Sequence, residues 1–105
     1  MRSSLAEFEK LRAPVLLVSD LDLIVFANSH AQEALLNVDV VDMPIQGFIC
    51  DWHRCRPRKP TPTAINVEVL LRSGQYATRR AVVFQLKLDM ELVSGIALLP
   101  RHPNL

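Results

Sequence analysis

Side chains with metal-binding chemistry cluster near the middle of the chain, where Cys50, His53 and Cys55 form a Cys-x-x-His-x-Cys pattern. A structural zinc site takes four ligands, and the sequence offers no clear fourth ligand close to these three. We therefore predict no metal site, and we expect His53 at the surface. Both cysteines are expected to be free thiols, because two are too few for a disulfide scaffold in a chain rich in apolar residues.

A run of cations in a proline-rich stretch follows this pattern. The run comprises Arg54, Arg56, Arg58 and Lys59, interleaved with Pro57 and Pro60. Exposed charges usually keep a surface soluble, so we interpret the run as a solvated, extended loop. A phosphate or carboxylate site is the alternative.

Residue patterns of common enzymes are not found in the sequence. It has three glycines and no Gly-rich phosphate loop, no Gly-x-Ser-x-Gly nucleophile elbow and no metalloprotease helix motif. Its aspartates, such as Asp20 and Asp22, lie at expected turns, where Asp bonds the local backbone. An isomerase-like enzyme would need a buried carboxylate base, but Glu68 is predicted to point away from the core. We therefore predict that the chain is not an enzyme.

The composition is that of one folded domain. The chain has 105 residues, of which 50% are hydrophobic and 22% are charged, with a formal net charge of +1. So small a net charge predicts binding neither to nucleic acid nor to a membrane surface. The apolar runs are too short to span a bilayer, and the first residues do not resemble an export signal. A cytoplasmic protein is expected.

The first residues predict an amphipathic helix. Leu5, Phe8 and Leu11 are spaced three apart, which places them in one stripe of a helix over residues 1–12. A helix this short is unstable in isolation, so the stripe must dock on its own domain or on a second copy. These three residues are the candidate dimer interface.

A hairpin and a second helix are predicted next. Two apolar runs, Val15–Val18 and Leu23–Ala27, are separated by a Ser-Asp-Leu-Asp turn and read as buried strands. Asn28 and Ser29 can cap a following helix that continues to about Asn37. Several prolines in the stretch beyond it favour short helical turns joined by loops.

The last third of the chain predicts three strands. The first, over Ile65–Leu71, alternates apolar with polar residues, which is the pattern of a half-buried strand. The third, over Leu92–Leu99, is apolar at most positions, which predicts a central place in the sheet. The second covers Tyr76–Leu88, and the residues expected to face the core there are Val82, Phe84, Leu86 and Leu88.

This order of elements resembles the PAS fold, and several segments strengthen the likeness. PVLLVSDLDLIVFANSHAQEALL is similar to the family's opening hairpin, with Asn28 at the asparagine that begins its first helix. MPIQGFI, LRSGQ and VSGIALLPR, the last of which includes Gly95, resemble later family segments. The likeness runs from about Leu11 to Arg101, but Leu21 and Asp22 replace the usual glycine of the first hairpin.

The resemblance implies an α+β fold. We expect a five-stranded antiparallel sheet with a helical crossover between strands 2 and 3, plus the N-terminal amphipathic helix. The PAS domain would cover residues 13–101, and residues 102–105 would be a tail or a linker to an effector domain absent from this chain. Among subtypes, the sequence is similar to the N-terminal PAS domains of nitrogen-regulation-type sensor histidine kinases.

The resemblance also raises the question of a cofactor. Haem-binding PAS domains use a histidine of the crossover helix, and His53 is the histidine best placed to imitate it. Light-reactive flavin relatives need an Asn-Cys-Arg-Phe-Leu context, whereas Cys50 lies in Phe-Ile-Cys-Asp-Trp. Trp52 could stack on an aromatic ligand, although such a tryptophan is more often a packing anchor. We predict a domain without a cofactor.

The function implied by the resemblance is regulatory signal sensing in a bacterial-type histidine kinase or transcriptional regulator. We expect a homodimer that binds a small organic ligand and acts on an effector, either covalently linked or separate. The alternative is a module that only dimerises or docks a partner, with large aliphatic side chains filling its interior. The candidate ligand-binding residues are Phe48, Trp52, His53, Val67, Phe84 and Ile96.

Overall fold

The computed structural model describes residues 12–34 and 40–99. The helix predicted over residues 1–12, with its stripe Leu5, Phe8 and Leu11, lies outside the described residues but for its last position, and so does the predicted tail over residues 102–105. The described elements, in chain order, are β1 (Val15–Val18), β2 (Ile24–Ala27), α1 (Ser29–Ala34), a 3₁₀ helix (Ile45–Gly47), α2 (Trp52–Cys55), β3 (Thr63–Leu70), β4 (Tyr76–Leu88) and β5 (Glu91–Leu98).

The five strands form one antiparallel sheet in the order β2-β1-β5-β4-β3. The first hairpin pairs β1 with β2, and the second and third hairpins join β3, β4 and β5 in sequence. β1 pairs with β5, and this pairing joins the first hairpin to the other three strands. β5 therefore occupies the centre of the sheet, as its apolar sequence predicted. The helical crossover lies between β2 and β3, and the predicted α+β architecture is confirmed.

Asn28 joins the start of β1 to the start of α1. Its side-chain oxygen accepts hydrogen bonds from the backbone N–H of Ala31 at 3.0 Å and of Val15 at 3.0 Å, and its amide donates to the carbonyl of Ala13 at 2.9 Å. The first of these contacts satisfies a free amide in the first helical turn, which is the capping role that the sequence predicted. Asn28 is fully buried, so these partners also offset the cost of burying its amide.

The core lies between the helical crossover and one face of the sheet, which we call the inner face. This face carries Leu16, Val18, Val67, Val69, Ala81, Val83, Ile96 and Leu98. Buried residues from the crossover side pack against it, namely Ala31, Val40, Ile45, Phe48, Ile49, Trp52 and Cys55. The core therefore contains residues from three parts of the chain: the first hairpin, the helical crossover and the C-terminal strands.

The opposite, outer face of the sheet is also apolar. It carries Val15, Leu17, Val82, Phe84, Leu86 and Val93, whose positions follow from the strand registers and the alternation of side chains. Val15 and Leu17 are fully buried, yet they do not belong to the core cluster. The sheet thus has apolar side chains on both faces of its central strands.

The predicted inward set of β4 is wrong by one residue. Ala81 and Val83 belong to the core, whereas Phe84 lies on the outer face together with Val82 and Leu86. The Phe84 ring lies over Gly95 of β5, where an added Cβ would stand 2.3 Å from a ring carbon. Because residues 81–84 are all apolar, a period of two could not decide which alternate set faces the core.

Candidate functional site

The predicted ligand-binding residues separate into three places in the structure. Phe48, Trp52, Val67 and Ile96 come together in the core and are between 0% and 2% exposed. His53 is exposed on α2, and Phe84 lies on the outer face of the sheet. The four core residues pack as interior side chains do, and their role as ligand contacts stays a prediction.

Trp52 is held by a carboxylate of the first hairpin. Its indole N–H donates to Oδ1 of Asp22 at 3.1 Å, and the Gln46 amide donates to Oδ2 at 3.3 Å. A guanidinium nitrogen of Arg56 lies 3.6 Å from Oδ1. One carboxylate therefore ties the β1–β2 turn to the 3₁₀ helix and to both ends of α2.

The conformation of Asp22 explains the missing glycine of this hairpin. Its φ is 64°, which lies in the left-handed region that glycine, asparagine and aspartate adopt more readily than other residues. Its backbone carbonyl also accepts from the N–H of Ile45 at 2.9 Å. The sequence indicated a turn aspartate here, but it contained no signal for contacts with residues more than twenty positions away.

The basic stretch after α2 packs against the sheet at Pro57. The interpretation of the stretch as a solvated loop is therefore wrong up to Pro57. Pro57 is buried, and its carbonyl accepts a hydrogen bond from the side-chain amide of Gln85 on β4 at 3.3 Å. Cys55, two residues earlier, is also buried. Arg58 and Lys59, which follow, are exposed.

Two clefts flank the contact between Pro57 and Gln85. The larger has a volume of about 430 Å³ and a mixed lining that includes Asp20, Arg56 and Glu91. The smaller has a volume of about 240 Å³, and we call it the basic cleft because its lining includes four cationic side chains and no carboxylate. Those cations are Arg54, Arg56, Arg58 and Lys59. Its apolar lining includes Ile65 and Val83 on the inner face of the sheet.

Charges at α2 alter the protonation of two neighbouring groups. Burial opposes ionisation of Asp51, but the hydrogen bond and charge of Arg54 hold its pKa below the ordinary value. Burial, followed by the charge of Asp51, raises the pKa of the Cys55 thiol to about 11. Cys55 is therefore a neutral thiol near pH 7 and a poor nucleophile.

Metal-binding and membrane-spanning features were searched among residues 12–34 and 40–99. Within those ranges no three His, Cys, Asp or Glu side chains converge as a metal site would require. The helices described there are likewise too short or too polar to cross a bilayer.

Several solved structures with a fold similar to that of this chain are PAS domains. The PAS domain of nitrogen regulation protein NR(II) from Vibrio parahaemolyticus aligns with a TM-score of 0.73 and 13% identity, covering 93% of this chain and 97% of that one. A PAS domain from a two-component sensor histidine kinase gives a TM-score of 0.73 and 10% identity, covering 95% of each chain.

A third PAS domain, from an HTR-like protein of Haloarcula marismortui, gives a TM-score of 0.70 and 14% identity, covering 93% of this chain and 94% of that one. No family model matches the chain, and no curated protein sequence does. Since the identities are low and the coverage nearly complete, the likeness lies in the fold. The chain has the PAS fold, as its sequence predicted.

Proposed function

We propose that this PAS-fold domain is a signal-sensing module of a bacterial-type signal transduction protein, such as a histidine kinase or a transcriptional regulator. Two of the similar structures are PAS domains of nitrogen regulation protein NR(II) and of a sensor histidine kinase, which supports this setting. The proposed module works in the cytoplasm without a cofactor or catalytic activity of its own. It passes its signal to an effector that is either covalently linked or separate.

The observation that carries the proposal is the apolar outer face of the sheet. Val82, Phe84 and Leu86 lie there and are only partly buried in the single chain. An apolar sheet face on central strands is stabilised when another element or another molecule covers it. We propose that the stripe Leu5, Phe8 and Leu11 and this face together form the contacts of a homodimer.

The proposed sensor transmits its signal through a change in dimer contacts. The central strand β5 contributes Ile96 and Leu98 to the inner face and Val93 to the outer face. A ligand that shifts the inner side can therefore alter the packing of the outer side through one strand. The coupling requires two arrangements of the dimer that differ in their affinity for the signal.

Sedimentation velocity tests the dimer. Replacement of Phe8 by Glu, or of Leu86 by Glu, should convert the dimer to a monomer because each places a carboxylate in an apolar contact. Leu21→Glu is the matched control, since Leu21 is 75% exposed at the tip of the first hairpin and should leave the dimer intact. A parent chain that sediments as a monomer, or Phe8→Glu and Leu86→Glu chains that remain dimers, would contradict the proposal.

The second candidate function is a dimerisation or docking module that binds no ligand. The packing of Phe48, Trp52 and Val67 in the core favours it, because these side chains fill the space beneath the crossover. Native mass spectrometry and the absorbance spectrum of freshly purified protein separate the two functions. A retained organic molecule, or a haem or flavin band, would exclude the ligand-free module.

A further inference from the structure

We propose that the basic cleft binds a small organic anion through its carboxylate or phosphate group. The proposal rests on the sensing function, whose ligand class it names. The cleft lies between the stretch that follows α2 and the inner face of β3 and β4. Its volume of about 240 Å³ suits a short molecule better than a large cofactor.

Among residues 12–34 and 40–99, two cations of the basic cleft have no carboxylate partner. Arg54 pairs with Asp51, and Arg56 lies 3.6 Å from a carboxylate oxygen of Asp22. Arg58 instead donates to the backbone carbonyl of His53 at 3.0 Å. Among the described residues, Lys59 has no hydrogen-bond or ion-pair partner. Two positive charges therefore remain to receive an anion.

The position of the chain distinguishes this cation group from a solvated run of charges. Burial of Pro57 and its hydrogen bond from Gln85 fix the stretch against β4 before the chain reaches Arg58. This anchor directly precedes Arg58 and Lys59, and both side chains line the basic cleft. Such pre-positioning lowers the entropic cost of gathering several cations around one ligand.

The apolar part of the lining favours a ligand with a hydrocarbon group beside its anionic group. Ile65 and Val83 supply an apolar floor beneath the cations, so a short hydrocarbon or an aromatic ring fits beside the anionic group. The neighbouring cleft of about 430 Å³ is lined by Asp20 and Glu91, which repel an anion. The anion should therefore select the basic cleft over its larger neighbour.

An NMR titration of the 105-residue chain tests the site. Butyrate, phenyl phosphate and inorganic phosphate are added separately, with 1-butanol as the neutral probe. We expect saturable shifts at the amides of Lys59, Ile65 and Val83 with at least one organic anion, and weaker binding at high salt, because surface charges are screened. Comparison of butyrate with 1-butanol reports the contribution of the anionic group, and comparison of phenyl phosphate with inorganic phosphate reports the contribution of the apolar floor.

The double variant Arg58→Ala/Lys59→Ala should weaken the anion's affinity about tenfold, because each lost contact of an exposed cation is worth about threefold in affinity. Arg72→Ala is the matched control, since this exposed arginine lies in the β3–β4 turn outside the lining of the basic cleft. Thermal unfolding confirms that both variants are folded. The anion site is overturned if no anion saturates below about 10 mM, or if the double variant binds as the parent does.

The anion site and the proposed dimer fail independently. Saturable anion binding by a parent chain that sediments as a monomer supports the site and contradicts the proposed dimer. A dimer that dissociates in Phe8→Glu but whose parent chain ignores every anion supports the interface and overturns the site.

Discussion

Asp22 lies in the β1–β2 turn, and its side chain contacts residues of the 3₁₀ helix and of α2 as well. Its carboxylate accepts from Trp52 and Gln46 and lies near Arg56, while its backbone has a φ of 64°. Two physical requirements therefore coincide at this position: tolerance of left-handed φ, and an acceptor for a buried indole N–H. Glycine meets the first requirement and asparagine meets both, so the two substitutions separate them.

Asp22→Gly should lower the free energy of unfolding by about 1–3 kcal/mol, because it leaves the Trp52 N–H without its partner. Asp22→Asn should cost less than about 1 kcal/mol, because its one amide oxygen still accepts from Trp52, and the contacts that are lost, with Gln46 and Arg56, are exposed or partly exposed. Urea unfolding followed by the fluorescence of Trp52, the single tryptophan of the chain, measures both. Equal losses in the two variants would show that the hydrogen bond from Trp52 contributes little to stability.

Cys55 should make stability depend on alkaline pH. Its pKa rises from an ordinary value of 9.0 to about 11 in the folded chain, mainly because the thiol is buried. The folded protein therefore keeps this proton at pH values where the unfolded chain releases it. The contribution is complete below about pH 9 and is lost as the pH rises towards about 11.

The free energy of unfolding of the parent should thus fall more steeply between pH 9 and pH 11 than that of Cys55→Ala. Urea unfolding at several pH values gives both curves, and their difference removes the contributions that the two chains share. Cys50→Ala is the control, because Cys50 is exposed and its loss should leave the slope unchanged. Parallel curves for the parent and Cys55→Ala would refute the assignment.

At the residue scale, the sequence predicted roles that depend on near neighbours. Asn28 was identified as a helix cap because its capping partner, the N–H of Ala31, lies three residues away, whereas its bonds with Ala13 and Val15 were not predicted. The hydrogen bond between Trp52 and Asp22 spans thirty residues, and periodicity gives no information about such a pair. The sequence predicted a phosphate or carboxylate site at the basic run only as the alternative to a solvated loop, because Gln85, which anchors Pro57, belongs to another element.

At the scale of elements, the β4–β5 hairpin contains a local conflict between turn and residue type. Its two-residue loop, Asp89 and Met90, has φ values of 51° and 72°, the signs of a type I′ turn. Such turns match the twist of the strands and favour glycine or asparagine. Met90 is 93% exposed, so no packing of its side chain compensates for the strained backbone.

Met90→Gly should therefore raise the free energy of unfolding by about 0.5–1 kcal/mol. Relief of the left-handed strain, about 1–2 kcal/mol, exceeds the entropy that glycine adds to the unfolded chain. Thermal or urea unfolding measures the gain. Met90→Ala keeps the strain and removes the exposed side chain, so it should bring no comparable gain; a similar gain in both variants would place the effect in the side chain instead.

The elements themselves were well specified by local patterns. β1 and β4 begin and end at the predicted residues, and β5 lies one residue earlier than predicted. The error at β4 concerned orientation: consecutive apolar residues at positions 81–84 fit either face, and both faces of the sheet are apolar. Only the pairing of Val83 with Ile96, a contact between strands, fixes which side is inner.

At the scale of the whole molecule, the sheet joins the two ends of the described chain. β1 and β5 are separated by more than seventy residues, yet they pair along all four residues of β1. The centre of the sheet therefore forms only when the crossover has brought the first hairpin next to the last strand. Such non-local pairing carries a larger loop-closure entropy than the hairpins do.

This topology predicts a gradient of amide protection. β5 has neighbours on both sides, so its amides should exchange only when the whole domain unfolds. β2 is an edge strand of four residues that pairs with β1 alone among the strands, and it should exchange faster through local opening. Hydrogen–deuterium exchange measured by NMR at individual amides gives the opening free energies directly.

β3 provides the internal comparison, because it is the other edge of the sheet but pairs along eight residues with β4. Both edges are partly covered in a similar way, since the N–H of Leu70 donates to the carbonyl of Phe48 at 2.8 Å and the N–H of Ile24 in β2 donates to the carbonyl of Met43 at 2.9 Å. The length of strand pairing therefore makes the difference. Protection should therefore decrease from β5 to β3 to β2. Equal protection of β2 and β5 would mean that the first hairpin and the central strand open as one unit, and the non-local pairing would then limit the stability of the entire sheet.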